Sequence, residues 1–158
     1  AMGRRGTPRK LEVPGEELPK VMYSLIEAEA YTGKRILVVG GGDSAVEAAM
    51  GLACQKGNKV TLSYRQGGFS RIKDRNVKRL EECRRAGSVE VVLSSRVTEI
   101  RPRSVMLEAG GQIREIPNDF VWVFAGGLPP NEFLTKVGVA LGSRDLTSEG
   151  AAEARRVA

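Results

Sequence analysis

The sequence contains no histidine. That absence excludes Ser-His-Asp and Cys-His nucleophilic chemistry and any His-ligated zinc site. Cysteine is scarce as well. Cys54 and Cys83 form no C-x-x-C pair and no metal-ligand spacing, and they are too few for a disulfide framework. Aromatic residues make up only 5%, and no nucleic-acid-binding motif accompanies them. No apolar run approaches the ~20 residues that a membrane-spanning helix needs. No charged n-region followed by an apolar h-region marks a secretory signal, so cytoplasm is the expected compartment and no membrane partner is expected. Chemistry must then come from a bound cofactor or from other residue types, and no residue is assigned as catalytic or as a metal ligand.

What is present is a chain of 158 residues with 41% hydrophobic content, enough for one domain with a core. The 25 Lys and Arg residues outnumber the 19 Asp and Glu, for a net charge of +6. Such a balance favours an anionic partner, either nucleic acid or a phosphate-rich cofactor, although scattered basic residues also make an ordinary solvated face.

Residues 1–20 mix Gly3, Gly6, Pro8, Pro14, Gly15 and Pro19 with basic residues and read as a connecting segment. Val21 to Tyr31 can form a short helix with Val21, Leu25 and Ala28 near one face. Arg35 to Val39 is a β-branched apolar run, as expected of a strand buried on both faces. A Gly-rich turn follows. From Asp43 a mostly apolar helix runs to about Lys56, with Gly57 as its stop. Asn58 to Tyr64 reads as the next strand, which completes a strand–turn–helix–strand unit of about thirty residues. Arg65 to Arg75 is a basic loop. Asn76 to Ala86 is an amphipathic helix with Val77, Leu80 and Cys83 inward, and Glu81 and Arg85 stand four apart in the favourable order. Cys54 reads as a small buried apolar residue.

Val89 to Leu93 reads as a third strand. Val97–Arg101, Ser104–Glu108 and Gln112–Ile116 follow as short strands, with Gly110-Gly111 as a hairpin turn. Phe120 to Ala125 is the most apolar stretch and reads as a central strand that ends at Gly126-Gly127. Beyond Leu141 the chain is polar and Ala-rich. The expected fold is therefore α/β: a Rossmann-like central parallel sheet with flanking helices and a small antiparallel β-meander between roughly Val91 and Ile116.

The motif that carries function is Gly40-Gly41-Gly42-Asp43-Ser44-Ala45, which fits G-x-G-x-x-G/A. It lies after a strand and opens a helix, the context in which this pattern binds a dinucleotide. Gly40 permits the tight turn, Gly42 lets a pyrophosphate reach the backbone, and Ala45 lets the helix pack on the strand. The first N–H groups of the helix would point at the anion. The bland alternative is a turn that only reverses the chain.

The end of the second strand separates NADH from NADPH. An NAD site usually has Asp or Glu there. This sequence reads Leu62-Ser63-Tyr64-Arg65-Gln66, with no acid before Asp74. Arg65 can pair with a 2′-phosphate, Arg71 and Lys73 lie close enough to help, and Tyr64 can stack beside the adenine. The competing reading of Arg65 is a plain surface arginine, and the missing acid favours the phosphate role. Ala125-Gly126-Gly127 and the prolines that follow would lie at the carboxyl end of the sheet, where α/β folds bind ligands, or could be a plain turn.

Arg4 to Leu11 with Val13-Pro14-Gly15-Glu16, then Gly40 to Ala45 with Glu47, then Phe124 to Pro130, together resemble the NADPH domain of thioredoxin-reductase-like flavoproteins, within the pyridine nucleotide-disulfide oxidoreductases. The resemblance covers about residues 4–141. It implies a domain inserted between two halves of an FAD domain, with hydride passing from nicotinamide to flavin and on to a disulfide or another acceptor. It also implies that Glu47 approaches the nicotinamide end. Val21 to Ala30 lacks the C-x-x-C of thioredoxin reductases, and Glu27 to Tyr31 is similar to the bacillithiol-disulfide-reductase-like and ferredoxin-NADP-reductase-like branches. Tyr64-Arg65-Gln66 stands where the family has His-Arg-Arg, so the first arginine is kept and the second is not.

These readings give a connecting segment over 1–20, an NAD(P)H-binding domain over 21–141 and a polar tail over 142–158. NADPH, or NADH, is the expected cofactor, with FAD bound outside this chain in the full-length protein. The expected partners are the FAD domain of the same protein and a disulfide or electron-transfer acceptor. A homodimer is allowed. The chain alone is expected to bind nucleotide without turning over. Two competing readings are a basic nucleic-acid-binding module using Arg65 to Arg85, which steeply salt-dependent oligonucleotide binding would favour, and a non-redox nucleotide sensor.

Overall fold

A computed structural model describes residues 7–128 and 135–138. The chain divides into two compact units, Pro8–Leu128 and a second made of Ala1–Thr7 with Pro129–Ala158. Of the second, residues 135–138 form a turn in which the Gly138 N–H donates to the Thr135 carbonyl at 3.1 Å. The expected boundary at 141 and the tail 142–158 lie outside the described residues.

The order of elements is β1 Thr7–Pro8, β2 Val21–Met22, a 3-10 turn Ala28–Ala30, β3 Arg35–Val39, α1 Asp43–Ala53, β4 Lys59–Ser63, α2 Asp74–Arg85, β5 Val89–Val92, β6 Ser95–Ile100, β7 Ser104–Ala109, β8 Gln112–Pro117, β9 Phe120–Val123 and β10 Gly127–Leu128. The central sheet runs β2-β9-β3-β4-β5, and its pairs are all parallel. β6-β7-β8 form a separate antiparallel sheet. The fold is α/β and Rossmann-like.

Side chains alternate across a strand, and this sheet uses both faces. Ile36, Val38, Val60, Leu62 and Trp122 pack with Ala45, Val46, Ala49 and Leu52 of α1 and with Leu80 of α2. Leu37, Val121 and Val123 point the other way, into a second cluster with Val97, Ile100, Val105 and Leu107 of the meander. Both helices therefore cover one face and the meander covers the other. Each fully buried aliphatic side chain contributes about 1.5–3 kcal/mol of transfer free energy, so two separate clusters clamp the sheet from both sides.

Several local expectations change. The helix expected over Val21–Tyr31 is instead the edge strand β2 and a short 3-10 turn. Val21 and Met22 pair in parallel register with Val121 and Trp122, and Tyr31 packs edge-on against Trp122 at 4.8 Å. These long-range contacts outweigh a weak helical periodicity. They leave Ile26 90% exposed. α1 ends at Ala53, before Lys56, and Cys54 is exposed, not buried. Val77 is exposed, while Leu80 and the half-buried Cys83 meet the core. Residues 8–20 do not behave as a connecting segment. Leu11, Val13 and Leu18 pack on the meander-side cluster, and the buried Glu16 carboxylate accepts the Leu11 and Glu12 N–H groups at 2.6 and 2.7 Å and the Tyr23 hydroxyl at 2.8 Å. The fixed φ of three prolines and one enclosed carboxylate organise a segment with no regular pattern.

At the amino-terminal edge of the sheet, Asp119 accepts the Arg35 N–H at 2.8 Å and its guanidinium at 3.0 and 2.6 Å. The guanidinium hydrogen bonds, reinforced by the backbone N–H, hold the Asp119 carboxyl at about 2. A carboxylate lowered in the folded state stabilises above its unfolded pKa, and that stability is lost as pH falls through the folded value. Asp119→Asn is expected to lower the melting temperature at pH 7 by about 2–5 °C, since the pair is partly solvated. The gap from wild type should close between pH 4 and pH 2. An undiminished gap at pH 2 would assign the effect to packing instead.

Candidate functional site

Three loops meet at the carboxyl end of the parallel sheet: Gly40–Gly42 after β3, the segment from Tyr64 after β4, and Phe124–Gly126 after β9. β3 lies between β4 and β9. The chain leaves β3 toward β4 on one side and reaches β9 on the other only after the meander. The crevice at such a reversal is where open α/β sheets take ligands. A cleft of about 640 Å³ lies there, lined by all three loops.

The Gly-rich turn is shaped differently at each glycine. Gly40 has φ +151°, and a Cβ there would lie 2.6 Å from the Phe124 carbonyl oxygen and 2.9 Å from the Ala45 Cβ. Ala45 is fully buried. Close packing of β3, β9 and α1 therefore dictates both residues. Gly41 lies under the ring of Tyr64, which a Cβ would meet at 2.1 Å. Gly42 is extended (φ −101°, ψ 174°) at the N-cap of α1, and a Cβ there would meet nothing within 4 Å. The fold has room for a side chain at Gly42. A helix leaves its first N–H groups without intrahelical acceptors, and Gly42 has no side chain to cap them. The turn is thus open to an anion.

Asp43 and Asn76 bring the basic loop back over this turn. The Asp43 carboxylate accepts the Lys73 N–H at 2.9 Å and the Asn76 amide at 2.6 Å, and the Lys73 N–H, followed by that amide, holds its carboxyl below the usual range. The Asn76 amide also donates to Glu47 at 2.9 Å. Gly42 and Arg71 form a parallel bridge. Asn76 is 1% exposed, so the tie is anchored on a buried amide between α1 and α2, while its Asp43–Lys73 hydrogen bond is exposed. It sets Arg71 beside the Gly-rich turn.

Tyr64 stacks flat on Phe69, with ring centroids 5.4 Å apart and planes at 5°, and its hydroxyl donates to the Gln66 side chain at 2.8 Å. The opposite wall starts at β6. The Ser95 N–H donates to the Tyr64 carbonyl and the Ser94 N–H to the Gln66 carbonyl, each at 3.0 Å. The amino-terminal segment closes the cleft, where the Arg9 N–H donates to the Gly126 carbonyl at 2.9 Å.

Of the residues expected at the site, Gly40, Gly41, Gly42, Tyr64, Arg65, Arg71, Ala125 and Gly126 line this one cleft. Asp43, Ser44, Ala45, Glu47, Gln66, Lys73 and Gly127 do not line it. Asp43 and the Lys73 N–H are used in the loop tie, and Glu47 faces Asn76 and, at 3.9 Å, Arg75. Three cations that sequence reasoning missed, Arg9, Lys10 and Arg96, also line the cleft. Arg9 and Lys10 were visible as a basic pair but were read as part of a connector. Arg96 carried no local signal, because only the hydrogen bonds from β6 to the loop after β4 bring it there. The cleft lining thus includes five cations and no carboxylate. Among the described residues, no cluster of Cys, Asp and Glu could hold a metal ion, and no helix is long and apolar enough to cross a membrane.

Residues 1–150 match the pyridine nucleotide-disulphide oxidoreductase family. The chain belongs to that family. Among curated proteins it is similar to the bacilliredoxin reductase Bdr of Bacillus subtilis (strain 168), at 34% identity over 143 residues, 89% of this chain and 44% of that protein. It is also similar to the ferredoxin–NADP reductase of Ignicoccus hospitalis, at 33% identity over 153 residues, 92% of this chain and 48% of that protein. The solved bacillithiol disulfide reductase Bdr from Bacillus cereus superposes with a TM-score of 0.80 at 34% identity, covering 87% of this chain and 43% of that one. This family member therefore spans less than half the length of the curated relatives named here.

Proposed function

We propose that this domain binds a nicotinamide dinucleotide, NADPH in preference to NADH, within a cytoplasmic FAD-dependent oxidoreductase whose flavin is held outside this chain. The observation that carries the reading is the cleft itself: a Gly-rich turn with open space at Gly42, facing five cations and no carboxylate. A phosphate-rich dinucleotide fits that donor set. Its pyrophosphate would lie on Gly40–Gly42 at the start of α1. Its 2′-phosphate would meet Arg65 and Arg71, since guanidinium matches phosphate in a bidentate fashion. Its nicotinamide end would lie toward Ala125 and Gly126. The bound dinucleotide supplies hydride, and the residues named here bind and orient it. The chain's short span relative to its relatives supports placing the flavin and the final acceptor elsewhere. Those relatives are named for bacilliredoxin and ferredoxin reduction, which supports a disulfide or a small electron carrier as acceptor.

Convergence of the cations on one concave site, instead of along an exposed face, argues against a nucleic-acid surface. Calorimetric titration of the chain with NADPH and NADH at low salt tests the reading. NADPH is expected to bind about tenfold more tightly, and Arg65→Ala is expected to erase that difference. Equal affinity of wild type for both would remove the phosphate role of Arg65, and no binding of either would sink the reading of the cleft.

A further inference from the structure

We propose that Arg96 is a third phosphate-binding cation of this cleft, acting on the same 2′-phosphate as Arg65 and Arg71, and that Glu108 holds it in reserve. The proposal rests on the nucleotide reading above and adds a specificity residue to it.

Position comes first. The start of β6 is hydrogen-bonded along the loop after β4, through Ser95 to Tyr64 and Ser94 to Gln66. Arg96 is the next residue along β6, so it lies beside the loop that carries Arg65. Val97 packs into the meander-side core, and Arg96, Val97 and Thr98 all contribute to the cleft wall. Arg65 and Arg71 come from an exposed loop, whereas Arg96 projects from a paired strand, a more rigid support for a binding group.

Charge comes next. Gln66 follows Arg65 directly, but it is neutral and its side chain is engaged by the Tyr64 hydroxyl. A dianionic phosphate at Arg65 must then find further cations elsewhere, and Arg96 is placed to be one. Its guanidinium is paired with Glu108, the residue opposite it on β7. The Arg96 side chain is 74% exposed. An ion pair so open to water is weak, so a phosphate can compete for the guanidinium. Glu108 also places a negative charge close to where that phosphate would sit, and it opposes binding.

The two partners therefore have opposite predicted effects. With adenosine 2′,5′-bisphosphate and adenosine 5′-monophosphate as probes, wild type is expected to prefer the bisphosphate. Arg96→Gln should weaken the bisphosphate about tenfold and the monophosphate less than about twofold. Glu108→Gln breaks the same ion pair but should tighten the bisphosphate about threefold. A purely structural role for the pair would weaken binding in both variants, and that result overturns the proposal. An equal loss for both probes in Arg96→Gln also overturns it, because it would place Arg96 away from the 2′ position. Arg65→Ala, titrated alongside, separates the two levels. If it loses the preference while Arg96→Gln keeps it, Arg96 alone is excluded. If wild type binds neither probe, the nucleotide reading falls and this proposal falls with it.

Discussion

Gly42→Val is expected to cut NADPH affinity by at least about a hundredfold while the domain stays folded. The expected loss follows from the contacts a side chain would block. A pyrophosphate on the turn would accept charge-assisted hydrogen bonds from the backbone N–H groups at the start of α1, each worth about 1.5–3 kcal/mol, so losing two of them gives a hundredfold or more. The expected survival of the fold follows from the empty surroundings. A Cβ at residue 42 meets nothing within 4 Å, and its backbone is extended at φ −101°, a conformation that valine favours. The remaining cost is the poorer N-cap, about 1 kcal/mol. Calorimetry with NADPH and a thermal melt of the same sample check both halves. Wild-type affinity in the variant would move the phosphates off the turn.

Gly40→Ala, two residues earlier in the same motif, is expected to do the reverse and destabilise the fold itself by about 3 kcal/mol or more. Its φ of +151° is a region that residues with a Cβ rarely adopt, and the added carbon would sit 2.6 Å from the Phe124 carbonyl oxygen. That oxygen belongs to backbone held in place by the Phe124 N–H bond to the Val39 carbonyl at 2.7 Å, so it cannot simply swing away. Chemical denaturation of the two variants side by side measures the contrast. A Gly40→Ala chain as stable as wild type would mean that the β3–α1 turn relaxes more freely than its packing indicates. Together the two variants separate a glycine required by the fold from one required by a ligand, a distinction that the pattern G-x-G-x-x-A does not make by itself.

Much of the central sheet was legible in the sequence because burial on both faces leaves a plain mark. Arg35–Val39, Lys59–Ser63, Val89–Val92 and Phe120–Val123 are short β-branched or aromatic runs, and all four became parallel strands. The Gly-rich turn was legible for the same reason: it falls between such a strand and an apolar helix. The hairpin at Gly110-Gly111 was legible because both residues need positive φ, 59° and 76°, and glycine adopts it without strain. Val21–Tyr31 was misread. Two residues pairing at a sheet edge leave no periodic signal, and the helical spacing of Val21, Leu25 and Ala28 had no competitor until the partner strand β9 was in view.

The sequence by itself determined the class of fold, the place of the Gly-rich turn and the exclusion of histidine-based chemistry, since each depends on local composition or on a period short enough to read along the chain. Only the tertiary structure decided which residues form the cleft. Arg9, Lys10 and Arg96 are distant in sequence from the turn and reach it through strand and loop hydrogen bonds. Glu47, next to the motif in sequence, is carried by the rotation of α1 to the Asn76 side and away from the cleft wall. The physical reason is one of range. Helix, strand and turn signals come from neighbouring residues, whereas a binding site gathers charge from whichever elements the packing of the two cores brings to one edge of the sheet.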